Sequence, residues 1–600
     1  MNPSFLPLLL LVLTASRCGA QPAETPAPTG GPVTISGELM QWHRVTLTFE
    51  GPETSEGASP NPFLDYRLDV TFTHGNTRFT VPGYYAADGD AGESGAKAGG
   101  AWRAHFAPDS TGTWRYAVSF RTGPGIAVSD DPSVGAATAF DGLTGTFEVL
   151  PTDKTGRDFR GQGRLVYAGE RYYRFAGTGA YFIKGGADSP ENLLAFTDFD
   201  NTAAGKTILH AYGPHVDDWR EGDPSWRGGK GKGLIGALNY LASEGLNSVY
   251  FLTMNVEGDG DDVFPWTTKQ ERMRFDASKL DQWEIAFSHM DRQGLMLHVI
   301  TQETENDQLL DGGELGPERR LYYRELVARF AHHPAIVWNL GEENTNTDAQ
   351  RKAFAEYLRA LDPYDHPIVI HTFPNQYDQV YTPLLGFEAF EGPSLQMGDM
   401  TRTYAETYTW IARSVEAGRP WVVMLDEIGP HTDGVKPDGV GNNHDEVRRH
   451  ALWGNLMAGG AGVEWYFGYQ HPHSDLNLED FRSRDAFWDY TRYALAFFHE
   501  QLPFDRMIPR NELLEPGSDA WVLAAPGEVY AVYAPQGGTI KIDLNEKEGM
   551  LRIRWFNPRT GTFAPAVARL VGKGDPAQPF GQYRTIRAPD SEGDWVALIQ

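Results

Sequence analysis

One cysteine occurs in 600 residues. That excludes both a disulfide scaffold and a cysteine-rich zinc site. Positive charge is also scarce. There are 52 Lys and Arg against 80 Asp and Glu, a formal net charge of −28. A polyanion binder carries a basic footprint instead, so nucleic acid is not an expected partner. Past the N-terminal leader no run of about 18 apolar residues occurs, and no membrane-spanning helix is expected. No internal repeat of about 20–50 residues is visible. Several motifs stop short of their chemistry. Gly205-Lys206-Thr207 lacks the upstream glycine of a phosphate loop. His444-Asp445-Glu446 with His450 lacks the spacing of a zinc protease helix. The acid-rich loops Asp88–Asp90 and Asp259–Asp262 lack the EF-hand spacing. No cofactor and no metal site is expected.

The single cysteine, Cys18, falls in a short leader. Pro7–Leu13 is an apolar run too short to span a bilayer, and Cys18-Gly19-Ala20 before Gln21 reads as a small-residue cleavage site. Residues 1–20 are therefore expected to be a signal peptide cleaved after Ala20, giving a secreted or periplasmic protein without cysteine. Lipidation of Cys18 is the alternative, and Arg17 before it fits that reading poorly. Residues 21–32 form a Pro/Thr/Gly linker.

What is present is an ordinary globular share of apolar (41%) and charged (22%) residues, with 16 Trp and 26 Tyr. Flat aromatic faces suit sugar rings, although they serve cores first. Residues 33–150 alternate with period two at Val45–Phe49, Tyr66–Phe72 and Trp114–Phe120, which predicts an N-terminal, Ig-like β-sandwich. Across 160–502 helical periods alternate with short apolar strands. The expected strands are Tyr181–Gly185, Asn247–Thr253, Leu295–Thr301, Ala335–Leu340, Pro367–Thr372, Gly386–Phe390, Pro420–Asp426 and Gly462–Phe467. Leu234, Leu238 and Leu241, then Trp283, Phe287 and Met290, then Tyr323, Val327 and Phe330 mark helices between them, and Thr347–Leu361, Thr401–Ala417, His444–Met457 and Asp485–Glu500 mark the later ones. This alternation predicts an α/β fold with a central (β/α)8 TIM barrel. An open doubly wound sheet is the other possibility, but Gly185-Gly186-Ala187-Asp188 lacks its glycine-rich first turn. Residues 503–600 return to strands and predict a C-terminal β-sandwich.

In such a barrel, function lies where strands meet their following loops. Those positions offer Lys184 and Asp188, then Asn255 and Glu257, then His298, Gln302, Glu303 and Glu305. Strand four ends in Asn339-Leu340-Gly341-Glu342-Glu343-Asn344. His371 and Asn375, Glu388 and Glu391, Asp426 and Glu427, and Glu464, Trp465 and Tyr466 complete the set. Glu343 and Glu427 end strands four and seven. Two carboxyls about 5 Å apart suit retaining glycoside hydrolysis, one protonating the leaving oxygen and one attacking the anomeric carbon. Trp266 and Tyr377 are loop aromatics that could stack on sugar or cover a core edge.

Trp338-Asn339-Leu340-Gly341-Glu342-Glu343-Asn344 resembles the strand-four acid/base motif of glycoside hydrolase clan A, and Leu425-Asp426-Glu427-Ile428-Gly429 resembles its strand-seven nucleophile motif. Phe182–Asn192 is similar to the first strand of apiosidase-like barrel proteins. Arg554–Gly561 is similar to a C-terminal domain of the collagen-binding type, and the N-terminal sandwich to a domain of unknown function fused to such barrels. The resemblance implies Glu427 as nucleophile, Glu343 as acid/base and a glycan substrate. It offers Asn339, Glu342, Asn344 and Trp465 as substrate contacts, with Trp465 flooring the sugar site, while His298 and His371 are candidate contacts from strand positions that could face the funnel. The clan carries Asn directly before its acid/base Glu, and here Glu342 fills that position. Glu342 is thus the alternative acid/base, with Leu-Gly-x-Glu spacing favouring Glu343. A non-catalytic carbohydrate- or matrix-binding protein on a barrel scaffold is the alternative from outside the enzymes.

Overall fold

The computed structural model describes residue 1 and residues 33–571 and 583–600. The expected cleavage site, Cys18 and the linker 21–32 lie outside the described residues. Among those described, no helix is long and apolar enough to cross a membrane.

Eight parallel strands close into a barrel: β1 (Lys184–Ala187), β2 (Ser248–Leu252), β3 (Met296–Ile300), β4 (Ile336–Asn339), β5 (Ile368–Thr372), β6 (Gly392–Met397), β7 (Met424–Ile428) and β8 (Gly462–Trp465). Closure comes from pairing of β1 with β8, Lys184 opposite Gly462 through Ala187 opposite Trp465. An open sheet is thereby excluded. Every residue of these strands is buried, because helices cover the outside while side chains fill the inside. The helices are α1 (Lys232–Ser243), α2 (Ala277–Gln293), α3 (Pro317–Phe330), α4 (Asp348–Leu361), α5 (Tyr377–Tyr381), α6 (Thr403–Glu416), α7 and α8 (Asp485–Gln501). Of these, α7 runs as His444–Glu446, a π-helical turn Val447–Leu452, and Trp453–Met457. Local chemistry sets the ends. Asp276 caps α2 by accepting from the Lys279 amide, and Gly294 closes it in the left-handed region at φ 66°. Thr347 and Gln350 form a capping box on α4.

Three strands differ from expectation. The seventh runs Met424–Ile428 in place of Pro420–Asp426. The first begins at Lys184. Tyr181–Phe182 instead join Tyr173–Phe175 and Leu165–Tyr167 in a three-stranded antiparallel sheet beneath the barrel. The sixth is Gly392–Met397, whose Gly-Pro-Ser-Leu-Gln-Met sequence carries no β-branched residue, while Gly386–Phe390 forms turns. Tertiary burial, not propensity, makes this strand. The shift moves Glu391 to the N-terminal end of β6, away from the functional face. There it accepts from the Ile368 amide at 2.8 Å, Arg359 at 2.7 Å and Arg419 at 2.6 Å. Glu388 goes with the turn.

Antiparallel sheets flank the barrel. N-terminally, Val33–Gly37, Val45–Ser55, Ala98–Phe106 and Tyr84–Tyr85 form one sheet, and strands Tyr66–His74, Thr77–Pro82, Gly112–Thr122, Ala136–Ala137 and Thr144–Val149 the other. Phe72 and Phe106 stack between them at 4.1 Å. C-terminally a six-stranded sheet and a two-stranded one enclose Val522, Val532, Ile553 and Ile599. The C-terminal sheet is tied to α7 by the Arg448–Asp594 pair at 2.7 and 3.0 Å, both residues fully buried.

Candidate active site

At the C-terminal end of the barrel, the ladder between β6 and β7 slips by one residue. Leu395 faces Leu425, yet Gln396 faces Glu427, leaving Asp426 as the extra residue. A bulge re-aims side chains that strict alternation would send to opposite faces. Here two consecutive carboxylates both serve the interior. Asp426 binds Lys184 Nζ, and Glu427 Oε2 lies 3.2 Å from His371 Nε2.

Below Glu427 the barrel interior is ionic. Lys184 contacts Asp426 and also reaches Glu464 Oε2 at 2.8 Å. His298 Nδ1 lies 2.8 Å from that same oxygen, and Ser248 donates to the other one. None of these side chains is exposed. Burial favours the neutral forms, but Lys184 and His298 outweigh it and hold the Glu464 carboxyl down at about 2. Burial likewise opposes the Lys184 charge, and Asp426 and Glu464 overcome it and raise its pKa.

Strand β4 runs into Gly341 (φ 147°) and then Glu343, a non-glycine residue in the left-handed region at φ 46°. Such a conformation persists only where surrounding contacts hold it, and the Thr304 hydroxyl donates to the Glu343 carbonyl at 2.8 Å. The turn presents Glu342 and Glu343 together. Tyr250 donates to Glu342 Oε2 at 2.8 Å, and Gln396 Nε2 donates to Glu343 Oε1 at 2.7 Å. Burial, and then the Glu427 charge, push Glu343 up to about 7. The same two causes, with Glu343 added, carry Glu342 well above the usual carboxylate range. Carboxyl oxygens of Glu342 and Glu427 and a ring nitrogen of His371 all lie within 4.8 Å of one another.

These residues border a cleft of about 520 Å³. Its wall includes Glu342, Glu343, Glu427, Gln396, Phe373, Tyr466 and Tyr469. Of the residues expected to touch substrate, Glu342 alone joins Glu343 and Glu427 on this wall. His371 stands behind Glu427. His298 belongs to the ionic interior, and Asn339 lies beside it, its amide nitrogen 3.2 Å from His298 Nε2. Asn344 is buried in the loop after β4, donating to Asn346 at 2.7 Å and accepting from Arg351 at 3.2 Å. Trp465 is turned outward against α8, where its indole donates to Thr491 at 2.9 Å and its ring packs on Phe487. The neighbouring Tyr466 takes the cleft-facing place. Trp266 is fully buried, and Tyr377 spends its hydroxyl on the Gln396 carbonyl, so both serve the core. Asp262 is fully buried among Asn255, Asn192 and Thr207. Gln396 and Tyr469 were not anticipated. The correct register of β6 would have exposed the first, whereas the second lies in a loop with no local signal.

Among the described residues, two further His/carboxylate groupings have ligand-type atoms within 4.8 Å: Glu284 with His332 and His333, and His298 with Asp426 and Glu464. Arg44 already pairs with Glu284, and Lys184 with Asp426 and Glu464, so each of these groupings holds a protein cation.

Comparison with known proteins places this geometry in context. Residues 38–121 match the model of a domain of unknown function (DUF5060), and residues 508–600 match that of a putative collagen-binding domain of a collagenase. No curated protein sequence matches the chain. Among solved structures, a putative glycoside hydrolase from Bacteroides vulgatus is similar over 93% of this chain and 99% of its own, at 17% identity and a TM-score of 0.63. A glycoside hydrolase family 5 structure from Bacteroides vulgatus covers 74% of this chain and 95% of its own, at 15% identity and a TM-score of 0.51. At these identities the likeness is one of fold: a closed eight-stranded barrel with flanking β-rich domains.

Proposed function

We propose that the chain is an exported, retaining glycoside hydrolase acting on a polysaccharide or oligosaccharide. The observation that carries the reading is the pairing at one cleft of two carboxyls with different environments. Glu343 is held near 7 by burial and by Glu427, which suits a group that must carry a proton at neutral pH and then release it. Glu427 stands across from Gln396, whose amide reaches Glu343. In this mechanism Glu427 attacks the anomeric carbon while Glu343 protonates the departing oxygen. Glu343 then takes a proton from water, which hydrolyses the glycosyl-enzyme. His371 orients Glu427 from behind, 3.2 Å from its carboxyl. The likeness to structures of glycoside hydrolases, and that of the first strand to apiosidase-like barrels, support the same reading. Export rests on the leader, with cleavage after Ala20 or lipidation at Cys18.

The test is Glu427→Gln, which should abolish turnover on any accepted glycan and leave the fold intact. Wild-type turnover by that variant overturns the assignment. The first-formed product should keep the anomeric configuration of the substrate, read by NMR; inversion refutes double displacement. A second reading of the acid/base is favoured by one distance: Glu342 approaches Glu427 within 4.8 Å. Leaving-group dependence separates the two. Loss of the true acid should cost about 10²–10⁴ on natural linkages and little on aryl glycosides with acidic leaving groups. We assign that behaviour to Glu343→Gln, not Glu342→Gln. A non-catalytic glycan- or matrix-binding protein would bind without turnover even as wild type.

A further inference from the structure

The walls of the cleft carry a second population of acids that the hydrolytic mechanism does not use. Glu191 follows β1, Asp259 follows β2, and Glu303 and Glu305 follow β3. They occupy one sector of the rim, contiguous with the catalytic carboxyls. Among the described residues lining the cleft there is no lysine or arginine, and His431 is the sole base. The nearby Lys206 spends its ammonium on the Glu257 and Gly258 carbonyls.

Acid density is not enough to define a site, since solvated rims are often acidic. Here the acids include a buried oxygen with nothing to bind. Glu191 is 4% exposed and its Oε1 has no hydrogen-bond partner. Behind it Asp475, fully buried, accepts the Glu191 amide at 3.1 Å through Oδ1 and also bonds the Ser189 hydroxyl. Buried carboxyl oxygens without a donor are costly, and one beside a cleft is open to a partner such as water, an ion or a ligand donor. Asp259 shows the geometry at the rim: Tyr469 donates to its Oδ2 at 2.6 Å, standing an aromatic face beside the acids.

Resting on the hydrolase reading above, we infer that this sector is a subsite for an amine-bearing sugar, so that the substrate class is a glycan with free amino groups. A protonated amine offers three donors and one positive charge to a wall of acceptors. A uronic or sulfated sugar would meet like charge and no cation. An N-acetylated sugar offers one neutral donor and leaves the rest of the wall unanswered. Burial and neighbouring acids raise Glu191 and Glu303 well above their usual range and bring Asp475 to about 7. Where amine and acid both arrive protonated, pairing must release one proton to solvent, so the raised values weaken binding at low pH and affinity should strengthen as pH rises.

The experiment is calorimetric binding at pH 6 to the Glu427→Gln full-length protein, which reads affinity without turnover. The probes are glucosamine and galactosamine oligosaccharides, their fully N-acetylated counterparts, and calcium chloride alone. Binding of an amino-oligosaccharide should exceed its N-acetylated form by about tenfold, the worth of one charge-assisted hydrogen bond. Added salt should erode the difference, and Glu191→Gln should remove it. Equal or tighter binding of the N-acetylated form overturns the inference. So does a preference that Glu191→Gln leaves intact, or stoichiometric calcium binding abolished by Glu191→Gln with no amine preference. The hydrolase reading fails separately: selective amine binding with no cleavage by the wild-type protein leaves the subsite standing and refutes the mechanism.

Discussion

Replacing Gln396 with leucine should move the alkaline limb of the pH–rate profile upward. Gln396 Nε2 donates to Glu343 Oε1 at 2.7 Å, and a donor of this kind favours the ionised carboxyl. Glu343 nonetheless sits near 7, because burial and Glu427 push it up against that bond. Leucine has similar volume and no donor, so the opposing influence vanishes. A hydrogen bond to a charged group is worth about 1.5–3 kcal/mol. Glu343 is only half-buried, so the lower end applies. At about 1.4 kcal/mol per pH unit the limb should rise by roughly one unit, from near 7 to near 8. The assay is kcat/KM against pH on a single hydrolysed glycan, with the acid limb as internal control. Gln396→Glu should move the limb the same way, by adding a like charge instead of removing a donor. A limb that stays near 7, or moves to acid in Gln396→Leu, refutes either the role of the amide or the identity of Glu343 as the titrating acid.

Stability should fall as pH rises from about 4.5 to above 7. Carboxyls with raised pKa values, Glu343 and Asp475 to about 7, bind protons in the folded chain that the unfolded chain has released, so the slope of unfolding free energy with pH is negative there. Thermal melts across the window check this, and Glu343→Gln should flatten part of the fall; a Tm that climbs throughout the window contradicts it. Lys184→Met should cost about 3–5 kcal/mol, because Asp426 and Glu464 are left as buried charges without their cation, and denaturant midpoints measure it. Trp465→Phe should cost about 1 kcal/mol of stability, the bond to Thr491, with KM unchanged; a raised KM would return this residue to the sugar site.

The positions of the catalytic candidates were readable because Glu427 is the penultimate residue of an apolar strand and Glu343 lies in the loop just after one, and such positions survive small errors in register. Glu343 and Glu427 needed only the barrel order to be placed on one cleft. Gln396 was hidden because its strand, with proline and no β-branched residue, gives no period-two signal; the wrong segment upstream was chosen, and Glu391 came to the wrong end with it. Trp465 and Tyr466 show the limit from the other side. Either could face the cleft on composition, and which one does depends on the phase of β8, where Glu464 turns inward to Lys184 and Trp465 outward to Thr491.

The order of elements, the closed βα architecture and the two acids at strand ends follow from local pattern, since alternation, helical spacing and strand termini are written in neighbouring residues. The environment of those acids does not. The one-residue slip at Asp426, the lysine that neutralises it from 242 positions away, the glutamine that touches Glu343 and the partnerless oxygen of Glu191 arise between segments far apart in the chain. Proton affinity depends on burial and on charges a few ångströms away, and those distances exist only once the barrel has closed.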